Sequence, residues 1–232
     1  MKKFVTLLLL GTVLTTSTSI ASTKNIQSIA TTSTSVNGNI VSLSETVKSE
    51  EFRRFHDVGV DRVEGASLLM SKLQEGSLDE TRSKMDFSSM IKFIQTQHDL
   101  AVTGTLKHSL SSSATVSETI DQVTDLVLSN LGLELTDKNK LEYRKVIKKA
   151  FIGLWSQEDE KWFHLSSANN ENSSYSYFLM FVVERNGLLF TLPLELEVTA
   201  NTSEFGILHM NENNTFNFDI NLTGLKVLKM DI

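Results

Sequence analysis

A chain of 232 residues with 40% apolar residues, no Cys and a single Pro is long enough for one large domain or two small ones. Zero Cys excludes a disulfide scaffold, a thiolate zinc site and a cysteine nucleophile. A net charge of −6 offers no basic face to nucleic acid.

The first residues, Met1-Lys2-Lys3, are basic, and Phe4 to Leu14 is apolar apart from Thr6, Gly11 and Thr12. This run has about 11 residues, roughly 17 Å as a helix against a hydrocarbon core of about 30 Å, too short for an anchor. Ser19-Ile20-Ala21 supplies small residues at −3 and −1, so residues 1–21 read as a signal peptide cut after Ala21. The mature chain is then exported and, lacking a Cys at the cut, carries no lipid anchor. Residues 22–38 are rich in Ser and Thr and read as a flexible leader. A short β-like piece follows over Asn39 to Leu43, and Lys48, Arg53 and Arg54 just beyond it offer cleavage sites to an extracellular protease.

Four amphipathic helices are predicted next. The first starts from a cap at Ser49, carries Phe52, Phe55, Val63, Ala66, Met70 and Leu73 at three- and four-residue steps, and stops at Gly76. The second lies within Asp79 to His98, with Phe87, Met90, Ile91 and Ile94 on one side. A possible strand over Leu106 to Leu110 separates it from the third, which opens on the capping box Thr115-Val-Ser-Glu118 and buries Ile120, Val123, Val127 and Leu131 before Gly132. The fourth is capped by Thr136 and packs Tyr143, Val146, Ile147, Ala150, Phe151 and Leu154.

Beyond Trp155 the period becomes two. A short strand over Trp162 to Leu165 is followed by an Asn/Ser-rich loop from Ser166 to Ser174. Tyr175 to Arg185 and Leu188 to Val198 are apolar runs joined by Asn186-Gly187, the strongest short hairpin signal because both positions accept φ > 0. Phe205 to His209, Thr215 to Leu222 and Leu225 to Met230 read as further strands. The two-residue turn sets Arg185 opposite Leu188 and Phe181 opposite Leu192. One hairpin face then carries Tyr175, Tyr177, Leu179, Phe181 and Val183 with Phe190, Leu192, Leu194, Leu196 and Val198, and the other carries Phe178, Met180 and Val182 against Leu189 and Thr191, becoming acidic at Glu195 and Glu197. Strands apolar on both faces need cover on both. The expected architecture is α+β, a three-layer α/β/α sandwich with a mainly antiparallel sheet between two helix pairs, all within residues 39–232. Pro193 should sit at a bulge or where its missing N–H faces no neighbour. Runs of about 11 residues also suffice to cross a bilayer as tilted strands, which need about 9 to 11.

Catalytic motifs are absent: there is no Gly-x-Ser-x-Gly, no His-Glu-x-x-His and no phosphate-binding glycine loop. His56, His98, His108, His164 and His209 lack metal-ligand spacing, so no metal and no cofactor is expected. Glu184, Glu195 and Glu197 read as acidic strand ends meeting water. Lys138, Arg144, Lys145, Lys148 and Lys149 form the polar side of the fourth helix, either a solvated face or, through Lys145, Lys148 and Lys149, a surface for anionic lipid.

Residues Ser117 to Met230 resemble the Cyt-type cytolytic delta-endotoxins. The likeness is carried by Ala150-Phe151-Ile-Gly-Leu, Lys161-Trp-Phe163, Asn172-Ser-Ser-Tyr-Ser-Tyr-Phe-Leu-Met-Phe181, Thr191-Leu-Pro-Leu-Glu-Leu-Glu-Val198 and Phe216-Asn-Phe-Asp-Ile-Asn-Leu222. Upstream, the order of elements fits and the residues match weakly. The resemblance implies a non-enzymatic toxin that binds membrane phospholipid, forms homo-oligomers and permeabilises the bilayer. It implies insertion through Tyr177, Phe178, Leu179, Phe181, Val183, Phe190, Leu192, Leu194 and Leu196, a soluble dimer through Asn39 to Leu43, and activation by proteolysis. A signal peptide departs from the family's habit of collecting in intracellular crystals. The rival expectation is a secreted virulence or binding factor that keeps the fold without lysis.

Overall fold

The computed structural model describes residues 34–36, 40–48, 53–74, 77, 81 and 83–230, the first two stretches as backbone alone. The predicted signal peptide and most of the leader lie outside them. Eight strands among these residues form one mixed sheet, and the helices pack on its two faces. The strands are β1 (Thr34–Val36), β2 (Ile40–Lys48), β3 (Arg53–Gly59), β4 (Leu100–Thr115), β5 (Phe163–Ala168), β6 (Ser173–Arg185), β7 (Leu188–Ala200) and β8 (Thr215–Lys229). Their order is β1-β2-β3-β6-β7-β8-β4, with β5 also paired to β6. The helices are α1 (Val63–Gln74), α2 (Phe87–Gln95), α3 (Val116–Leu131), α4 (Asp137–Lys148) and α5 (Glu204–Leu208).

The hairpin forms in the expected register. Asn186 and Gly187 take φ of 52° and 77°, Arg185 faces Leu188 and Phe181 faces Leu192. The ladder from β7 to β8 lapses at Leu192 and Pro193, as a residue without an N–H requires. The capping box also forms: Thr115 Oγ1 accepts from the Glu118 N–H at 3.1 Å, and Glu118 accepts from the Thr115 N–H at 2.8 Å. Thr115→Ala should cost about 1 kcal/mol of stability, read as a lower urea midpoint at unchanged slope.

Several elements differ from the sequence reading. The first predicted helix is two elements: Arg53–Gly59 is a strand, parallel to β6 and antiparallel to β2, and only Val63–Gln74 is helical. Phe55 and Val58 point to opposite faces yet both are fully buried, because β3 lies inside the sheet with helices on either side. Double coverage erases the alternation that would have revealed a strand. Arg54 is buried in that strand, so it is no open cleavage site. Of the predicted Asn39 to Leu43 piece, Ile40 to Leu43 belong to the longer β2, which pairs with β3 of its own chain, while Asn39 lies outside the described residues, and β1 falls inside the stretch expected to be leader. Phe205 to His209 is no strand: Ser203 caps a single helical turn, accepting from the Gly206 N–H at 3.3 Å. The two last predicted strands are one, running through Gly224, where a Cβ would stand 3.1 Å from the Pro193 carbonyl oxygen. The strand predicted over Leu106 to Leu110 extends to 16 residues, and β5 and β6 take in most of the Asn/Ser-rich stretch.

Candidate functional site

All nine residues singled out for membrane insertion lie on the β6–β7 hairpin. Tyr177, Leu179, Phe181, Val183, Phe190, Leu192, Leu194 and Leu196 share one face, and Phe178 lies on the other. All are buried except Phe190, which is half-buried under the Arg185 guanidinium at 5.6 Å. Each strand has 13 residues, about 44 Å of extended chain, more than the span of a bilayer.

The α3–α4 pair covers the larger apolar face. Tyr143 of α4 stacks on Phe181 at 5.7 Å and meets Phe55 of β3 at 4.6 Å, and Phe151 meets Phe218 of β8 at 6.4 Å. Among the described residues, polar bonds fasten this layer at its ends: the Val116 and Ser117 N–H groups donate to the Asn214 and Glu212 carbonyls, and Arg144 and Lys148 pair with the Glu212 carboxylate. Arg185 donates to the Leu131 carbonyl at 3.1 Å where α3 ends, and the Tyr175 hydroxyl donates to the Ala150 carbonyl at 2.7 Å. The main fastener is Gln157, just beyond a 3-10 turn at Leu154–Ser156. Its Oε1 accepts from the Tyr177 hydroxyl at 2.7 Å, from Trp162 Nε1 at 3.1 Å and from Arg53 at 3.3 Å, while Nε2 donates to the Lys149 carbonyl at 2.9 Å. Sequence reasoning missed Gln157. A lone Gln in a loop has neither period nor motif, and its role exists only where β3, β6 and the end of α4 converge.

The opposite face is covered unevenly. Near the Asn186-Gly187 turn, α1 packs on it: His56 Nε2 lies 2.6 Å from the Met70 sulfur, and Leu189 reaches Gly65. Away from the turn this face is polar, with Glu197 and Thr199 half-buried and Asp219 and Asn221 exposed. The expectation of helix cover on both faces therefore holds only for the half near the turn. Glu195, read as a strand end meeting water, is 6% exposed instead, and its carboxylate accepts from the Met85 N–H at 3.2 Å.

Burial shapes the titration of β3. His56 is pushed down to about 4, first by burial and then by neighbouring Arg54. Burial raises the Asp57 carboxyl, against the opposing pull of Lys138. The lysines singled out on α4 do not converge on one free patch. Lys145 pairs with Glu142 at 2.8 Å, Lys148 pairs with Glu212, and Lys149 is exposed at the helix end. Glu212 also takes Arg144 at 3.2 Å, and these cations hold its carboxyl below the usual range. No group of three or more metal-ligating side chains occurs among the described residues.

A family model described as Bacillus thuringiensis toxin matches residues 30–232. The chain belongs to this toxin family. It is a family of non-enzymatic toxins, and the protein is not an enzyme. Among the toxin's curated relatives, the type-2Bb cytolytic delta-endotoxin of Bacillus thuringiensis subsp. jegathesan is 20% identical over 192 residues, covering 80% of this chain and 73% of that protein. The type-2Ba cytolytic delta-endotoxin of subsp. israelensis is 20% identical over 191 residues, covering 79% and 73%. The crystal structure of the activated Cyt2Ba monomer from subsp. israelensis superposes with a TM-score of 0.70 at 20% identity, over 78% of this chain and 99% of that one. That likeness carries the α+β fold, three layers around a central sheet.

Proposed function

We propose that this toxin is an exported cytolysin that binds membrane phospholipid, assembles into homo-oligomers and permeabilises the bilayer through the β6–β7 hairpin and its neighbour β8. The observation that supports this reading most is the hairpin itself. Its two 13-residue strands are buried on their shared apolar face by a helix layer that meets them through apolar and aromatic side chains. Such strands are stable in water only while covered. In lipid, an open sheet would leave its edge N–H and C=O groups unpaired, and closure with neighbouring copies satisfies them. No described helix is long and apolar enough to cross a membrane, which leaves the strands as the crossing elements of this proposal. Lys145 and Lys148 would meet anionic headgroups once Glu142 and Glu212 separate from them, together with exposed Lys149 at the helix end. The named relatives are cytolytic delta-endotoxins, which favours lysis over a binding factor on the same fold.

The test is dye release from protein-free phosphatidylcholine vesicles, with and without limited trypsin treatment. Release in at least one state is expected. Intact vesicles in both states would sink the pore reading and leave the non-lytic factor.

A further inference from the structure

Transverse rows of the sheet, read across β6, β7, β8 and β4, alternate sharply. Ser176 faces Glu197, Glu197 faces Asn221, and Asn221 faces Ser109. Two residues along, Ser174, Thr199, Asp219 and Ser111 make a second row. Both rows are polar across all four strands and knit by side-chain bonds. Ser109 Oγ donates to Asn221 Oδ1 at 2.7 Å, Ser111 Oγ donates to Asp219 Oδ1 at 2.6 Å, and the Ser174 and Thr199 hydroxyls lie 2.8 Å apart. Between them runs the row Tyr175, Val198, Ile220 and Leu110, and beyond it Tyr177, Leu196 and Leu222, ending on His108 at the edge. Apart from Leu110 and His108 on the edge strand, these apolar-row residues are buried under the α3–α4 side, where Phe218 meets Phe151. The polar rows open on a cleft of about 420 Å³ beside Lys84, whose ammonium lies 3.6 Å from Glu197.

We propose that this polar face of β6, β7, β8 and β4 is the water-facing wall of the membrane pore, and that α3–α4 is the helix pair that must leave. The proposal rests on the pore-forming reading above. A transmembrane barrel alternates apolar-out and polar-in along every strand, and a charged side chain turned toward lipid at mid-depth is destabilising. The rows holding Glu197 and Asp219 can therefore face only water, and the rows holding Val198, Ile220 and Leu222 can face lipid once bared. The bared rows are those under α3–α4. The α1–α2 pair lies on the water side, over the half near the turn where Met180, Val182 and Leu189 still need cover, so it stays. Exposed Trp155 and Phe205 stand at the opposite end of the strands, where an interfacial aromatic girdle would sit.

Two measurements test this on the full chain, whose lack of Cys makes engineered thiols free of background. The first is reversal potential in planar bilayers for Asp219→Lys and Asn221→Lys, both exposed in the soluble fold and each giving up one hydrogen bond from a serine of β4. The expected result is a reversal potential moved toward anions in the channels that the folded variants form. Unchanged selectivity, or loss of leakage in the folded variants, overturns the proposal. The second compares a disulfide locking α3 to β7 with one locking α1 to β6. The α3 lock should abolish leakage until reduced and the α1 lock should spare it; any other pattern overturns the assignment of the layers. If the unmodified protein fails to leak vesicles, the pore reading itself falls. If it leaks and the variants misbehave, only the wall assignment falls.

Discussion

Phe181→Ala should cost about 4 kcal/mol of stability, the upper part of the range for truncating a buried aromatic. Phe181 of β6 is fully buried between Tyr143 of α4, at 5.7 Å, and Phe55 of β3, at 6.1 Å. The three rings tie the sheet's parallel strand, its central strand and the outer helix layer at one point. Removing the middle ring leaves a cavity that neighbouring strands, fixed by their ladders, cannot collapse to fill. For a chain of this length the melting temperature should fall by roughly 10 °C. Leu141→Ala is the control: Leu141 is 55% exposed on α4, and its truncation should shift stability by no more than about 0.5 kcal/mol. A Phe181→Ala loss below about 1 kcal/mol would mean the trio is not a packed junction. The same variant bears on activity, since a looser α4 layer should lower the threshold for vesicle leakage.

Acidification should destabilise the fold between about pH 6.5 and 4, and His56 should account for much of that loss. His56 is 1% exposed, faces the Met70 sulfur, and its Nδ1 finds no hydrogen-bond partner among the described residues. Its folded pKa of about 4 lies below the unfolded value of 6.5, so the unfolded chain binds the extra proton in that window. Stability is therefore complete above pH 6.5, falls as pH drops toward 4, and loses nothing further from this group below that. The displacement corresponds to about 3 kcal/mol in all. Around the ring, Arg54 opposes protonation from the same strand, α1 presents Met70, and β6 presents Val182. Asp57 acts with the opposite sign. Its raised pKa means that acid relieves a cost of burying its charge, which partly masks the His56 slope. Melting temperatures from pH 7 to 4 should fall steeply for the native chain and more gently for His56→Leu. Parallel slopes would remove His56 as the cause.

Much of the fold was legible because local signals and tertiary packing agreed. The Asn186-Gly187 turn fixes its register within two residues, and the Thr115 to Glu118 box and Gly132 bound α3 by caps that need no partner. The misreadings all lie where a distant neighbour decided. Arg53–Gly59 carries two Arg, a His and an Asp and shows no alternation, yet it becomes a strand because β6 offers a free parallel edge there. Gly224 reads as a break and is instead the place where β8 passes close to Pro193.

The candidate site divides in the same way. Sequence alone determined that a long hairpin with one wholly apolar face exists, because hydrophobicity and turn chemistry are properties of adjacent residues. It could not show that four strands align their Ser, Asn, Asp and Glu into shared rows, since those residues are up to 112 positions apart and each strand alone is only mildly polar. It could not find Gln157, whose bonds to β3, β6 and the end of α4 arise only from convergence. Which face is sealed and which meets water was decided by where two helix pairs of unequal reach came to rest on one sheet.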